Sequence, residues 1–151
     1  MKSDKNEVCE YVTVRVGGQL FGVPVLSVRD VLREQPLTPI PLAAPEIAGA
    51  LNLRGRVVTA VDLRTRLGLE RREKGASCMN LVVAQDGELY SFLVDEVGDV
   101  LKLDMSTYEL VSDTLEAVWA QVTMGLHRLD KDLMLVLDIE AVLGEREEEA
   151  A

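Results

Sequence analysis

Two stretches of this chain are written twice. GQLFGVPVLSVRDVL, from Gly18, aligns without a gap on GELYSFLVDEVGDVL, from Gly87, an offset of 69 with seven of fifteen positions identical. At an offset of 76, VVTAVDLRTRLG from Val57 aligns on LMLVLDIEAVLG from Leu133, matching Asp62 to Asp138, Leu67 to Leu143 and Gly68 to Gly144. Both blocks keep their order, so the chain is an internal duplication, and each copy has to build a similar lobe. This restricts the fold more than any other feature. At 151 residues, 48% of them hydrophobic, the chain has the material for one domain with a sizeable core.

Each copy reads as β structure. YVTVRV meets a Gly17-Gly18 turn and continues as LFGVPV; LVVA meets an Asp86-Gly87 turn and continues as LYSFLV, both with the form of hairpins. Pro24, which lacks an amide proton, is expected at an edge or a bulge. SVRDVL and EVGDVL follow as apolar stripes with one Asp each, and then the strands that end in Asp62 and Asp138. Four or five short strands per half suit a small closed barrel, which removes exposed edges. The fold class expected is mainly β: two similar small five-stranded barrel lobes packed together, with short helices. Helix is expected for one turn at Pro45–Ala48, and for DLRTRLG between an Asp62 cap and Gly68. A longer terminal helix, DIEAVLGEREEE, runs into an acidic tail. SDTLEAVWAQVT fits helix and strand equally, with Trp119 either core or surface.

Catalytic readings find little support. One Asp per copy invites comparison with an aspartic protease, but VDLR and LDIE put each carboxylate at the start of a helix rather than on an exposed loop beside Gly and Ser or Thr. The single histidine, His127, has no nucleophile partner suggested by its neighbours and reads as a loop or core residue. Cys9 and Cys78 read as small strand residues, with no metal-ligand spacing, and no phosphate-cradling loop is present. No metal or cofactor is expected, and no enzyme.

Net charge of −10 disfavours nucleic acid. The charge is uneven: residues 1–75 hold twelve Lys/Arg against nine Asp/Glu, residues 76–151 four against seventeen. Seven basic residues crowd into Arg54–Lys74, either a solvated helix and loop or a docking surface for an acidic protein. No apolar run suffices for a membrane span and MKSDKNEV is no secretory signal, so a cytoplasmic protein without direct membrane insertion is expected. One asymmetry stands out in the duplication. NLRG, Asn52–Gly55, joins two apolar runs in the first copy, where the second has RLDK, Arg128–Lys131. Scaffolds alike and a turn unlike direct attention to the turn.

EYVTVRVGGQLFGVPVLSVRDVL, PLTPIPLAAPEIAGALNLRG, RVVTAVDLRTRLG, SFLVDEVGDVL and LMLVLDIEAVL resemble, in order, a CheW domain, the bacterial chemotaxis coupling family. The likeness spans residues 8–144, divided into lobes at about 8–75 and 76–144, with flexible polar tails at 1–7 and 145–151. Thr59 stands where the family commonly has proline. The resemblance implies two five-stranded SH3-like barrels. It implies a non-catalytic adaptor between the signalling tips of methyl-accepting chemoreceptors and the regulatory domain of the histidine kinase CheA, recruited to membrane-associated receptor arrays. The chain has no room for the further domains of CheA or CheV, which points to the stand-alone coupler. The alternative is a CheW-like scaffold of another chemosensory kinase pathway, in surface motility or development. Carried over by motif, Val28, Asp30, Gly49, Asn52, Arg54 and Gly55 fall where the family places coupling and receptor-binding determinants, and apolar strand residues are expected to meet the kinase.

Overall fold

The structure, a computed structural model, describes residues 7–73, 75–110 and 117–143. The acidic tail, residues 112–116 of SDTLEAVWAQVT, and the expected flexible tails apart from Glu7 lie outside that range. The strands are β1 (Val8–Val16), β2 (Gln19–Pro24), β3 (Val28–Arg33), β4 (Ile47–Leu53), β5 (Arg56–Asp62), β6 (Met79–Gln85), β7 (Glu88–Val94), β8 (Glu96–Asp104), β9 (Tyr108–Leu110), β10 (Thr123–Arg128) and β11 (Leu133–Leu137). Short helices are α1 (Leu63–Arg66), α2 (Ala117–Gln121) and α3 (residues 139–143), and single 3-10 turns occupy Val25–Ser27 and Met105–Thr107.

The strands form two sheets, one ordered β3-β6-β7-β5-β4 and the other β8-β1-β2-β11-β10-β9. These are the two lobes that the duplication calls for, in the mainly β, SH3-like arrangement that the resemblance implies. Position by position the orders match: each places a hairpin (β6-β7, β1-β2) beside a strand pair reached through a parallel contact, β5 with β7 and β11 with β2. The second sheet has six strands rather than five, because β9 pairs with β10 where the first sheet has only the Thr38–Ala50 bridge against β4.

The lobes do not divide near residue 75, as the linear duplication suggested. Each hairpin sits in the sheet built from the other copy. The reason lies in two connections: a single 3-10 turn links β2 to β3, and Asp95 alone separates β7 from β8. Neither break has the positive-φ residues that reverse the chain at Gly17-Gly18, Arg54-Gly55 and Asp86-Gly87, so it continues across into the other sheet. A consequence is a shared core. Val14, Phe21, Leu135 and Leu137 of one sheet pack in one cluster with Val61, Leu81, Phe92 and Val94 of the other, all at most 1% exposed. Each such side chain contributes about 1.5–3 kcal/mol by leaving water. A smaller cluster of Tyr11, Leu20, Met134 and Val136 fills the second lobe. Side chains alternate along β1, so Val12, Val14 and Val16 face the first cluster and Tyr11 the second.

Three local expectations need correction or completion. Pro24 ends an interior strand rather than lying on an edge; β2 pairs with β11 only through Leu20–Gly22, so the missing amide falls beyond the ladder. Pro45-Glu46 forms a turn, closed by the Ile47 amide on the Ala44 carbonyl at 2.9 Å, and the chain then enters β4 because β5 offers Val61 as partner to Ile47, with Ala48 in a bulge. In the ambiguous segment, residues 117–121 are helical. Trp119 packs on Phe21, ring centroids 5.8 Å apart, and donates its Nε1–H to the Leu67 carbonyl.

Asp62 and Asp138 are helix caps. Asp62 Oδ1 accepts the Arg64 amide at 3.0 Å and Asp138 Oδ1 the Ala141 amide at 3.1 Å. Arg66, buried on α1, donates to the carbonyls of Val142 and Ala141, which holds α3 against α1.

Candidate functional site

NLRG closes the β4-β5 hairpin. Leu53 pairs with Arg56, leaving a two-residue turn of Arg54 and Gly55 with φ of 51° and 87°. Positive φ at both central positions matches the right-handed twist of the strands, and it suits Asn or Gly far better than Arg. The Asn52 side chain accepts the Gly55 amide at 2.9 Å and holds the turn shut. An arginine is thereby kept in a left-handed conformation, 78% of its side chain exposed. Its Nη2 reaches Asp30 Oδ2 at 3.3 Å on β3, and Asp30 Oδ1 accepts the Val31 amide.

The six residues singled out by sequence therefore have different tasks. Asp30, Asn52, Arg54 and Gly55 come together. Asn52 and Gly55 build the turn, while Arg54 and Asp30 present charge on it. Val28, at the bulged start of β3, packs its side chain against the shared core. Gly49 lies at the bulge near the other end of β4, where a Cβ would stand 2.7 Å from the Thr38 carbonyl oxygen.

Backbone strain at Arg54 yields a prediction. Arg54→Asn relieves a left-handed arginine and forfeits only an exposed ion pair worth about 0–1 kcal/mol. Urea denaturation is expected to show a variant at least as stable as the parent, by about 0.5–1 kcal/mol. A loss of more than about 1 kcal/mol would mean that the Asp30 contact carries the fold.

The basic run from Arg54 is neither a solvated face nor a continuous docking surface. Arg66 is buried, and Arg64 and Arg72 converge on Asp95. Arg64 donates Nε–H and Nη2–H to the two Asp95 oxygens at 3.0 and 2.8 Å, Arg72 donates Nε–H at 3.0 Å, and the Gly17 amide adds a fourth bond at 2.8 Å. This cluster joins α1, the β1-β2 turn and the crossover between sheets. Burial pushes the Asp95 carboxyl up, but its bonds to Arg64, Gly17 and Arg72 outweigh this and hold it below the ordinary carboxylate range. A signal for it lay in the repeat: at an offset of 69, Asp95 aligns with Leu26, so one copy places a carboxylate where the other has an 87% exposed leucine.

Leu26 is one of several exposed apolar side chains, with Val31, Val57 and Val100. Val31 follows Asp30 and Val57 pairs with Asn52, so apolar surface flanks the Arg54–Asp30 pair. Charge on a turn, flanked by exposed valines on strands, suits recognition of a protein surface. Among the described residues no group of three or more His, Cys, Asp or Glu is placed to hold a metal ion, and no helix is long and apolar enough to cross a membrane.

The CheW-like domain family model matches residues 10–147. The chain belongs to that family. Relatives of this CheW-like chain include the probable chemotaxis protein CheW of Rhizobium etli, 32% identical with 94% of this chain and 92% of that protein covered. Protein PilI of Pseudomonas aeruginosa is 31% identical over 115 residues, covering 76% of this chain and 65% of that one. Among solved structures, the scaffolding protein TtCheW from Thermoanaerobacter tengcongensis superimposes with a TM-score of 0.79 at 23% identity, covering 87% and 89% of the two chains, which shows the fold.

Proposed function

We propose that this CheW-like chain is a non-catalytic chemotaxis adaptor, coupling methyl-accepting chemoreceptor signalling tips to the regulatory domain of the histidine kinase CheA. In this reading it works in the cytoplasm and joins receptor arrays at the membrane through its partners. The observation that carries the proposal is Arg54: an exposed arginine in a strained turn, tethered to Asp30, in a member of a family whose relatives are chemotaxis proteins. Strain kept at an exposed charge is better explained by recognition than by folding, since the fold would be served by Asn. Arg also suits the role chemically, because its planar fork can hold Asp30 and still offer donors to a partner carboxylate.

The test compares Arg54→Ala and Asp30→Ala in a receptor-dependent kinase assay, beside melting curves. Both variants are expected to stay folded, within about 1 kcal/mol of the parent. Arg54→Ala is expected to lose at least tenfold in receptor-dependent kinase stimulation, a cost of about 1.4 kcal/mol or more in coupling. Full stimulation by both folded variants would make the NLRG turn a turn only. A second reading, a scaffold of a different chemosensory kinase pathway in surface motility or development, is supported by the likeness to a relative named PilI rather than CheW. Co-sedimentation from native cells with receptors and CheA, or with a different kinase, separates the two.

A further inference from the structure

His127, the only histidine of the chain, lies on β10 with no exposed surface. Its two ring nitrogens are both occupied: Nδ1 is 2.8 Å from Thr107 Oγ1 and Nε2 is 3.2 Å from the Tyr11 hydroxyl. The proton positions follow from the partners. Thr107 Oγ1 spends its one proton on the Asp104 carbonyl at 2.9 Å, so it can only accept from the ring, and Nδ1 carries the hydrogen. In the neutral imidazole Nε2 then has a lone pair, and Tyr11 donates into it. The chain of bonds runs in one direction, from Tyr11 on β1 through His127 to Thr107 and Asp104 on the turn that leads into β9.

The same site has a second arrangement ready. Met105 Sδ lies 3.8 Å from the Tyr11 hydroxyl. If a proton from solvent binds Nε2, that N–H must donate to the Tyr11 oxygen, and the tyrosine proton swings toward Met105 sulfur, a weaker acceptor. The charge then stands in an apolar pocket with no counter-ion among the described residues. The groups facing the ring are Tyr11 from β1, Thr107 from the 3-10 turn, Tyr108 from β9 and Met134, its register partner on β11, with Cys9 and Met105 beside the Tyr11 hydroxyl. The nearby carboxylates are engaged elsewhere: Asp104 accepts the Ser106 amide, Asp138 the Ala141 amide, and Glu109 pairs outward with Arg128. The two tyrosine rings stand in edge contact with the imidazole at 5.3 and 5.5 Å.

The segment so held is the weakest-paired part of the second lobe. β9 has three residues, pairs among the described residues only with β10, and leaves Leu110 78% exposed. Few ladder bonds and a free edge make it the first part to open. We propose that Tyr11, His127 and Thr107 form a proton-operated clasp, which holds Met105–Leu110 closed over the second lobe while His127 is neutral and releases it when His127 is protonated. Burial keeps the imidazole below its ordinary range. On acidification the unfolded chain therefore takes its proton first, and stability falls as pH drops from about 6.5 through the folded value.

The experiment uses the whole chain and its single histidine. Long-range ¹⁵N–¹H spectra at pH 7.5 are expected to show the Nδ1–H tautomer with unprotonated Nε2. Hydrogen exchange, corrected for its intrinsic pH dependence, is expected to show protection at residues 105–110 falling at least tenfold between pH 7.5 and 5, while β4 and β5 stay unchanged. In His127→Phe that local change should vanish. His127→Gln, which keeps a polar end for Tyr11 without a titrating group, serves if the first variant does not fold. An Nε2–H tautomer at pH 7.5, protection that does not respond to pH, or the same response in either variant would overturn the clasp.

Discussion

Asp95→Ala is expected to be the most destabilising change at any exposed or half-exposed position, lowering stability at pH 7 by about 2–3 kcal/mol. The carboxylate accepts four hydrogen bonds, from Arg64 twice, from Arg72 and from the Gly17 amide, with about a fifth of its side chain exposed. Removing it leaves Arg64 with the Glu70 carbonyl and Arg72 with a 3.7 Å ion pair to Asp62, on side chains 22% and 13% exposed, and leaves the β1-β2 turn without its anchor. Residual solvent access keeps the cost below that of a fully buried pair. A domain of this size should melt roughly 5–10 °C lower. Asp95→Asn keeps an acceptor for Gly17 and should lose about half as much. The effect also has a pH signature. The folded carboxyl titrates below its unfolded value of about 3.9, so its stabilisation is complete above that pH and is lost as pH falls through the folded value. Parent and Asp95→Ala should therefore converge in acid. A loss below about 1 kcal/mol at neutral pH would show that the cluster is a surface ion pair with no structural weight.

The second large effect is expected at Gly49. Its φ is 152°, and a Cβ there would meet the Thr38 carbonyl oxygen at 2.7 Å and Leu37 Cβ at 3.1 Å. That carbonyl cannot move aside easily, since Thr38 and Ala50 exchange two backbone hydrogen bonds of 2.8 Å. Gly49→Ala must either break this bridge or distort β4, at a cost of about 2–4 kcal/mol. The result bears on function as well. If Gly49 serves only the scaffold, loss of kinase coupling in the variant should track its melting curve and recover on cooling. Arg54→Ala, by contrast, should lose coupling while its melting curve stays near that of the parent. A Gly49→Ala protein that melts normally but fails to couple would move Gly49 from the scaffold to the contact surface.

Much of the candidate site was legible because turns are local. Asn-Leu-Arg-Gly between two apolar runs signals a tight hairpin, and Asp30 in the matched SVRDVL segment was singled out together with Arg54; the two stand 3.3 Å apart. The left-handed backbone at Arg54 was not legible, because no rule of propensity puts arginine there. Nor was the use made of Arg64 and Arg72: counted along the chain they belong to a basic run, but in space they are spent on Asp95. His127 was read as a loop or core residue, and which hydroxyls flank it depends on β1 and the turn before β9 crossing β10, a relation between residues 116 and 20 positions apart.

By itself the sequence determined the duplication, the β character, both hairpin turns, the two Asp caps and the family. The duplication and the family are residue matches along the chain, and the rest are contacts between near neighbours, where alternation and turn chemistry set the outcome. Only the tertiary structure decided which hairpin belongs to which lobe. Two similar copies offer each hairpin two similar sheets, and pattern alone scores them equally. The choice falls to two connections, one 3-10 turn and the single residue Asp95, which lack the positive-φ residues of the hairpin turns and carry the chain onward. Exchange of the hairpins then joins the copies through one core and brings Asp95 within reach of Arg64, Arg72 and Gly17.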